Sequence, residues 1–253
     1  MHTKNLLMRK LMLVGAALAL SSIPALAADL AVKAPALPPF TWASCFLGAH
    51  AGGGWAHKDV TDPVALVEEN AFATLATGVT TAQIDPSGAV IGGQFGCDYQ
   101  IVPNWVVGVE GSASGATMKG STTVDLVDVG GTALVTARTD FLASATGRLG
   151  YAVDRWLYYV RGGAAWAGDK YTVVGNGFGF EGLDTGGGWT VGAGIEWAFS
   201  RNWSARLEYD YYGLGARTIQ MTDSINGFGP APIDVKQGVQ TVKLGVNFHV
   251  WSR

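Results

Sequence analysis

Beyond residue 28 the apolar side chains recur at every second position, and that period constrains the fold more than any other feature. In WSARLEYDYY, Trp203, Ala205, Leu207, Tyr209 and Tyr211 fall on one side of an extended backbone, and Ser204, Arg206, Glu208, Asp210 and Tyr212 on the other. Successive side chains of a strand point to opposite faces, whereas a helix scatters both sets around its surface. The pattern returns in GWTVGAGIEWAF, where Trp189, Val191, Ala193, Ile195, Trp197 and Phe199 oppose Thr190, Gly192, Gly194 and Glu196. In VQTVKLGVNFHV, Val242, Leu244, Val246, Phe248 and Val250 oppose Thr241, Lys243, Gly245, Asn247 and His249; in VIGGQFGCDYQI, Ile91, Phe95, Cys97, Tyr99 and Ile101 oppose Gln94, Asp98 and Gln100. No run past residue 28 approaches the roughly 18 apolar residues of a membrane helix. The chain therefore builds sheet with one apolar and one polar face.

Eight strands are expected, near 44–57, 87–101, 104–118, 136–152, 156–169, 187–199, 203–216 and 238–251. Three connections are short: Val102-Pro103-Asn104, Val153-Asp154-Arg155 and Ser200-Arg201-Asn202. The other four, near 58–86, 119–135, 170–186 and 217–237, are longer. Short and long alternate, so an antiparallel meander places all the short turns at one end. A tryptophan follows each short turn: Trp105, Trp156 and Trp203. An amphipathic ring at the start of an outward face suits a lipid–water boundary, and these three are read as points of a periplasmic aromatic girdle.

Eight antiparallel strands close into an up-and-down barrel in soluble lipocalins and in outer-membrane proteins alike. Charge placement separates the two. Glu110, Arg148, Arg161, Glu196, Arg206 and Glu208 all lie mid-strand on polar faces, five to seven residues from the nearest short turn centre. They share a level around the ring, and three acids and three bases on one interior layer can neutralise each other as buried charge requires. The exterior of a soluble barrel gives them no reason to share a height. The strands also reach the ~9–11 residues that cross a bilayer at a tilt, and an open sheet edge in lipid is not tolerated, so the sheet must close. Composition agrees: 48% of residues are hydrophobic and 15% charged, with 36 glycines and 9 tryptophans, against roughly 25% charged in soluble domains. The net charge of −3 gives no basic stripe for nucleic acid.

The N-terminus carries Lys4, Arg9 and Lys10, then the apolar LMLVGAALAL and the small-x-small Ala25-Leu26-Ala27. This is the pattern of a secretory signal peptide, expected to span residues 1–27 with cleavage after Ala27. ADLAVKAPALPPFT, residues 28–41, holds three prolines and reads as an extended periplasmic tether. The barrel is expected over residues 42–253.

Cys45 and Cys97 fall in the first two strands, near the short-turn end and among apolar neighbours. Export exposes them to an oxidising compartment, which favours a cross-strand disulfide over two unbridged thiols packed against lipid. In the chain-entropy model such a link is worth up to about 4 kcal/mol. His50, His57 and His249 lack metal-ligand spacing; His50 and His249 are expected in the polar interior. Glu196, Glu208 and Asp210 have no accompanying nucleophile and base, and the glycine-rich GVEGSASGA and GGGWTVGAG lack the helix that a phosphate loop needs. Neither an enzyme nor a cofactor is expected.

The leader ending in ALAADL, the Ala-Pro tether, FLGAHAGGGWA, the CDYQIVPNWVVGVEG hairpin and the closing VKLGVNFHV resemble the small porin-like outer-membrane proteins of alphaproteobacteria, which are related to OmpA-type transmembrane barrels. The resemblance covers essentially the whole chain. It implies an eight-stranded barrel placed in the outer membrane of a Gram-negative cell by the barrel-assembly machinery, contact with outer-membrane lipids and lipopolysaccharide, and a part in cell-envelope integrity. A passive pore and a ligand or host-factor binder acting through the loops, with residues 58 to 86 as platform, are the alternatives. A barrel of eight strands is just wide enough for side chains to fill, so little conductance is expected.

Overall fold

A computed structural model describes residues 40–61, 81–125, 132–175, 178–223 and 231–250. The expected signal peptide and all but the last two residues of the tether lie outside this set. The described chain is all strand: β1 (Ser44–Thr61), β2 (Thr81–Ile84), β3 (Ser87–Val102), β4 (Trp105–Asp125), β5 (Thr132–Val153), β6 (Trp156–Gly175), β7 (Phe178–Trp197), β8 (Trp203–Asp223) and β9 (Ala231–His249). Sequential neighbours pair antiparallel from β3 to β9, and β1 pairs with both β3 and β9, which closes the sheet. Among these nine, β2 and β3 are two parts of one path. Both run along β1 in a single register, Trp55 opposite Ser87 and Lys58 opposite Ile84, broken only at Asp85-Pro86. Pro86 has no N–H to donate, but its carbonyl accepts from Ala56 N at 2.8 Å. The ring therefore has eight strands.

The pairings fix how steeply they lean. Stepping across from Cys45 leads to Cys97, Val109, Gly147, Gly162, Val191, Tyr211, Gln240 and back to β1 at Trp55. The circuit returns ten residues above its start. That stagger corresponds to strands tilted at roughly 40°.

The short turns are stitched by the residues that gave the tryptophan repeat its polar break. Asn104 Nδ2 donates to Ala152 O at 2.8 Å, and Asn202 Nδ2 to His249 O at 2.9 Å. The backbone carbonyls of Asn104, Asn202 and Arg155 accept from Ala152, His249 and Ala198. Each turn thus ties the end of the neighbouring strand. Asp154 takes a φ of 51°, a left-handed conformation that Asp tolerates better than most residues.

The long connections differ from expectation. Residues 119–125, 132–135, 170–175, 178–186, 217–223 and 231–237 are strand rather than loop, and β6 and β7 stay paired up to Gly175 opposite Phe178. Alternation continues there, but with its faces exchanged. Ala133, Val135 and Ala137 point inward with almost no exposure, while Thr136 and Arg138 point out. The barrel wall continues past the membrane into water, which reverses the side that must be apolar.

Two belts of outward aromatics mark the membrane. The lower comprises Tyr99, Trp105, Tyr151, Trp156, Trp197, Trp203 and Phe248; the upper comprises Trp55, Phe141, Trp166 and Trp189. Ten residues of β6 separate Trp156 from Trp166. At ~3.3 Å per residue and the tilt above, they rise about 25 Å, the height of an outer-membrane apolar band. Between the belts the exposed residues include Leu47, Ile91, Val109, Leu149, Val160, Ile195, Leu207 and Leu244.

Candidate functional site

The lumen is built in layers, beginning at the periplasmic mouth. Trp42 is 1% exposed and closes that mouth together with Val106, Ala152, Leu157, Tyr159 and Ala198; Phe40 packs against the group. Its backbone N donates to Gln100 Oε1 at 3.0 Å, and Thr41 Oγ1 reaches the same oxygen at 3.1 Å. Phe40 and Thr41, which the sequence assigned to the tether, already belong to the barrel.

Above this plug the six mid-strand charges meet. Glu110 on β4 is the hub. Its Oε1 accepts from Arg161 Nη1 at 2.7 Å and Arg206 Nη2 at 3.1 Å, and its Oε2 from Arg206 Nη1 at 2.8 Å and Arg148 Nη1 at 3.3 Å. Arg148 also donates to Glu196 at 2.9 Å, and Arg161 to Glu208 at 2.8 Å. The strand registers explain the assembly. Glu196 stands opposite Arg206, and Arg148 opposite Arg161, so like charges on one pair of strands must reach across the lumen for partners. Room for these long side chains comes from inward glycines. A Cβ at Gly192 would collide with Asp210, one at Gly108 with Asp98, and one at Gly194 with Tyr159.

Further groups complete the layer. Tyr159 OH donates to Glu208 at 2.7 Å, and its ring lies 4.1 Å from the Arg148 guanidinium carbon. Ser204 and Asn247 donate to Glu196 at 2.5 and 2.7 Å. Lys243 pairs with Asp210 at 2.6 Å and with Glu208 at 3.1 Å, and Asp98 stands 3.5 Å from Arg148. Asp210 was named only beside Glu196 and Glu208 as a carboxylate without a nucleophile and base, and Asp98 and Lys243 were not placed in the charge layer, although all three lie on polar faces. Asp98 stands six residues before Asn104, so the turn spacing reaches it; β9 has no short turn after it, and that criterion is blind to Lys243. Five carboxylates and four cations make the layer nearly neutral, the condition under which buried charge is tolerated.

The histidines occupy separate places. His50 binds Gln94 at 2.5 Å and Ser114 at 2.7 Å, both inside the lumen. His249 contacts Ser44 at 2.8 Å and Ser204 at 2.9 Å near the plug. His57 is exposed above the upper belt, 2.6 Å from Asp85, and that hydrogen bond to a carboxylate raises its pKa above the ordinary value. Among the described residues no group of three or more His, Cys, Asp and Glu could hold a metal.

A second apolar layer covers the charges, with Met118, Leu142, Tyr212, Leu214 and Val239 among its members. Next comes a buried polar cluster, where Lys58 Nζ lies 2.7 Å from Asp169, 3.1 Å from Thr139 and 3.3 Å from Tyr171. This level is above the membrane, and burial lowers the pKa of Lys58 and raises that of Tyr171. A third apolar layer, including Val60, Ile84, Val135, Val173, Phe180 and Ile233, fills the extracellular end.

On the outer surface Cys45 and Cys97 stand directly opposite each other and form a disulfide. Each tryptophan of the short-turn repeat meets an aromatic on the facing strand: Trp105 with Tyr151 at 5.4 Å, Trp156 with Trp197 at 5.8 Å and Trp203 with Phe248 at 5.1 Å between ring centres.

A closed eight-stranded ring with apolar outside, charged inside and two aromatic belts is matched over residues 15–248 by the family model for the outer membrane protein beta-barrel domain. The chain belongs to this family. Its relatives include the 31 kDa outer-membrane immunogenic protein of Brucella melitensis, 29% identical over 246 residues that cover 91% of this chain and 95% of the relative. The 25 kDa outer-membrane immunogenic protein of Brucella abortus is 27% identical over 252 residues, covering 95% and 98%. Among solved structures, the outer membrane protease OmpT of Escherichia coli superimposes with a TM-score of 0.50 at 8% identity, over 85% of this chain and 99% of that one. At that identity the likeness shows the fold alone. The barrel resides in the cell outer membrane.

Proposed function

We propose that this outer-membrane barrel is a non-conducting structural and interaction protein that contributes to envelope integrity and presents the extracellular end of its wall to the surroundings. One observation carries the reading: the lumen is filled from end to end by alternating apolar and polar layers. Trp42 closes the bottom, Arg148, Arg161, Arg206 and their carboxylates close the middle, and Ile84, Val135, Phe180 and Ile233 close the top. Eight strands leave an interior of side-chain size, unlike the sixteen or more of a porin, and these residues use it up. The passive-pore reading is accordingly the weaker one.

The interior carboxylates support a structural role rather than catalysis, because Glu110, Glu196 and Glu208 are occupied by arginine, tyrosine, serine and asparagine donors and Asp210 is paired with Lys243. The likeness to a protease lends its fold and not its activity. In the envelope the barrel would meet outer-leaflet lipids and lipopolysaccharide along its apolar band, and the barrel-assembly machinery during biogenesis. Most of the first long connection, offered above as a loop platform, falls at residues 62–80, outside those described.

Reconstitution into planar bilayers tests the reading. Folded protein is expected to give no reproducible single-channel steps, and cells lacking it are expected to become more sensitive to detergent. Regular conductance steps from the unaltered chain would instead establish a pore.

A further inference from the structure

Three cations stand side by side on the outer face. Lys119 on β4 is opposite Arg138 on β5, and Arg138 is opposite Lys170 on β6. Directly opposed like charges destabilise a sheet, so the row calls for a physical reason. Arg138 contacts Asp140 on its own strand, and Lys170 lies 3.0 Å from Glu181. Lys119 has no carboxylate partner among the described residues. Height supplies the reason. Arg138 is three residues above Phe141 and Lys170 four above Trp166, which places the row roughly 10 Å beyond the upper aromatic belt at the tilt derived above. That is where the phosphate-bearing headgroups of the outer leaflet begin.

Phe141 and Trp166 of the upper belt stand just beneath the row on β5 and β6, and below them the wall is smooth. Outward positions on the same three strands are Gly111 and Ala113, Ala143 and Ala145, Gly162 and Ala164. Large side chains flank them, Phe95 and Ile91 on β3 and Trp189 and Val191 on β7. A shallow apolar trough thus rises to the upper belt and continues along β4, past Gly115 and beside Phe141 and Trp166, to the row of cations. We propose that the outer faces of β4, β5 and β6 bind one phosphorylated, multiply acylated lipid of the outer leaflet, with its phosphates on Lys119, Arg138 and Lys170 and its acyl chains in the trough. Small residues could equally admit the wall of a second copy. The row decides against that occupant, because a two-fold contact there would bring two sets of cations together, whereas an anionic headgroup neutralises one. The proposal deepens the reading of this barrel as an envelope protein in contact with outer-leaflet lipid.

The test uses the full-length barrel extracted from outer membranes in mild detergent, with bound lipid counted by native mass spectrometry and phosphorus assay. Unaltered protein is expected to retain about one phosphorylated lipid per chain. The triple change Lys119→Gln, Arg138→Gln and Lys170→Gln should cut retention about tenfold or more, and Ala145→Leu with Ala164→Leu should weaken it by filling the trough. Lys236→Gln, an outward cation on β9, should leave it unchanged. All of these positions face outward, and the altered mobility of unboiled protein on gels verifies folding in each variant. Equal retention by the triple variant would overturn the proposal. So would displacement of the lipid by inorganic pyrophosphate alone, which would mark a bare anion site, or a dimer that Ala145→Leu with Ala164→Leu dissociates, which would mark a contact between copies. The bilayer recording does not depend on these residues, so the two readings fail separately.

Discussion

The membrane section and the extracellular section of the barrel share the same strands and obey opposite patterns. Along β5, Ser144, Thr146 and Arg148 point inward below Phe141, while Ala145 and Leu149 point out. Above Phe141, Ala133, Val135 and Ala137 point inward, while Thr136 and Arg138 point out. Where lipid surrounds the wall the polar groups can only go inside, and they need each other; where water surrounds it the apolar groups go inside, as in a soluble barrel. Several irregularities in pairing fall between the two. β4 shifts register between Gly115 and Met118, β5 between Thr139 and Phe141, and β8 between Gly213 and Gly215. A bulge moves later side chains to the other face, and in β5 it leaves Asp140 and Phe141 outward in succession. Gly215 takes a φ of 73°, which a residue with a Cβ adopts only under strain. The solvent outside the wall, more than strand propensity, sets what the inside must be.

The largest expected difference between the sections comes from removing a hub. Glu110→Leu takes the shared acceptor from Arg148, Arg161 and Arg206 and leaves cations buried beside an apolar side chain. Breaking a buried ionic group in this way costs roughly 3–5 kcal/mol. Val135→Ala in the extracellular section removes only two methyl groups and should cost about 2 kcal/mol. Urea midpoints in detergent micelles, followed by the gel mobility of unboiled protein, compare the two directly. A Glu110→Leu midpoint equal to that of the unaltered barrel would show that the charge layer is not what holds the membrane section.

A smaller contrast probes the outside. Leu244 on β9 is 66% exposed midway between the aromatic belts, and Lys236 lies on the outward side of the same strand above them. Leu244→Arg should cost roughly 2–4 kcal/mol, the penalty of a cation on the lipid face near the midplane. Lys236→Leu, in water, should change stability by no more than about 0.5 kcal/mol. Equal effects of the two substitutions on the urea midpoint would mean that the apolar band is misplaced.

These contrasts also show what a reader of the sequence could and could not see. The membrane section was legible because period-two alternation, charge at a shared distance from the turns, and tryptophan after each turn are all local patterns in register with one another. The extracellular section was not. Segments such as TALVTARTD keep their alternation, but a search for an apolar lipid face followed by a polar lumen face finds its phase reversed there and reads loop. Long-range partners were also hidden. Nothing in the sequence links Lys58 to Asp169, whose ion pair depends on the stagger that brings β1 and β6 to one height inside the ring. Trp42 gave no sign that it folds under the barrel, because it sits in a stretch without periodicity.

The smallest expected effect lies where the two sections meet at β1 and β2. His57 is opposite the Asp85-Pro86 break, within 2.6 Å of Asp85 and 3.4 Å of Asp59. The hydrogen bond to Asp85 raises its pKa above the ordinary 6.5, with the Asp59 carboxylate adding to the effect. A group whose pKa is raised by folding lends stability that is fully present below its unfolded value and is lost as pH climbs through the folded one. The clasp between β1 and β2 should therefore be present at pH values below the ordinary 6.5 and weaken as pH rises above it. The side chain is largely exposed, so salt and water screen the pair, and only the local strand should respond. Hydrogen exchange at Ala82, Gln83 and Ile84 reads it: protection should fall as pH rises from 5.5 to 8, after correction for intrinsic exchange, while β5 and β6 stay unchanged. Asp85→Asn should remove most of that dependence. A pH response that survives Asp85→Asn at full size would assign the clasp to another group.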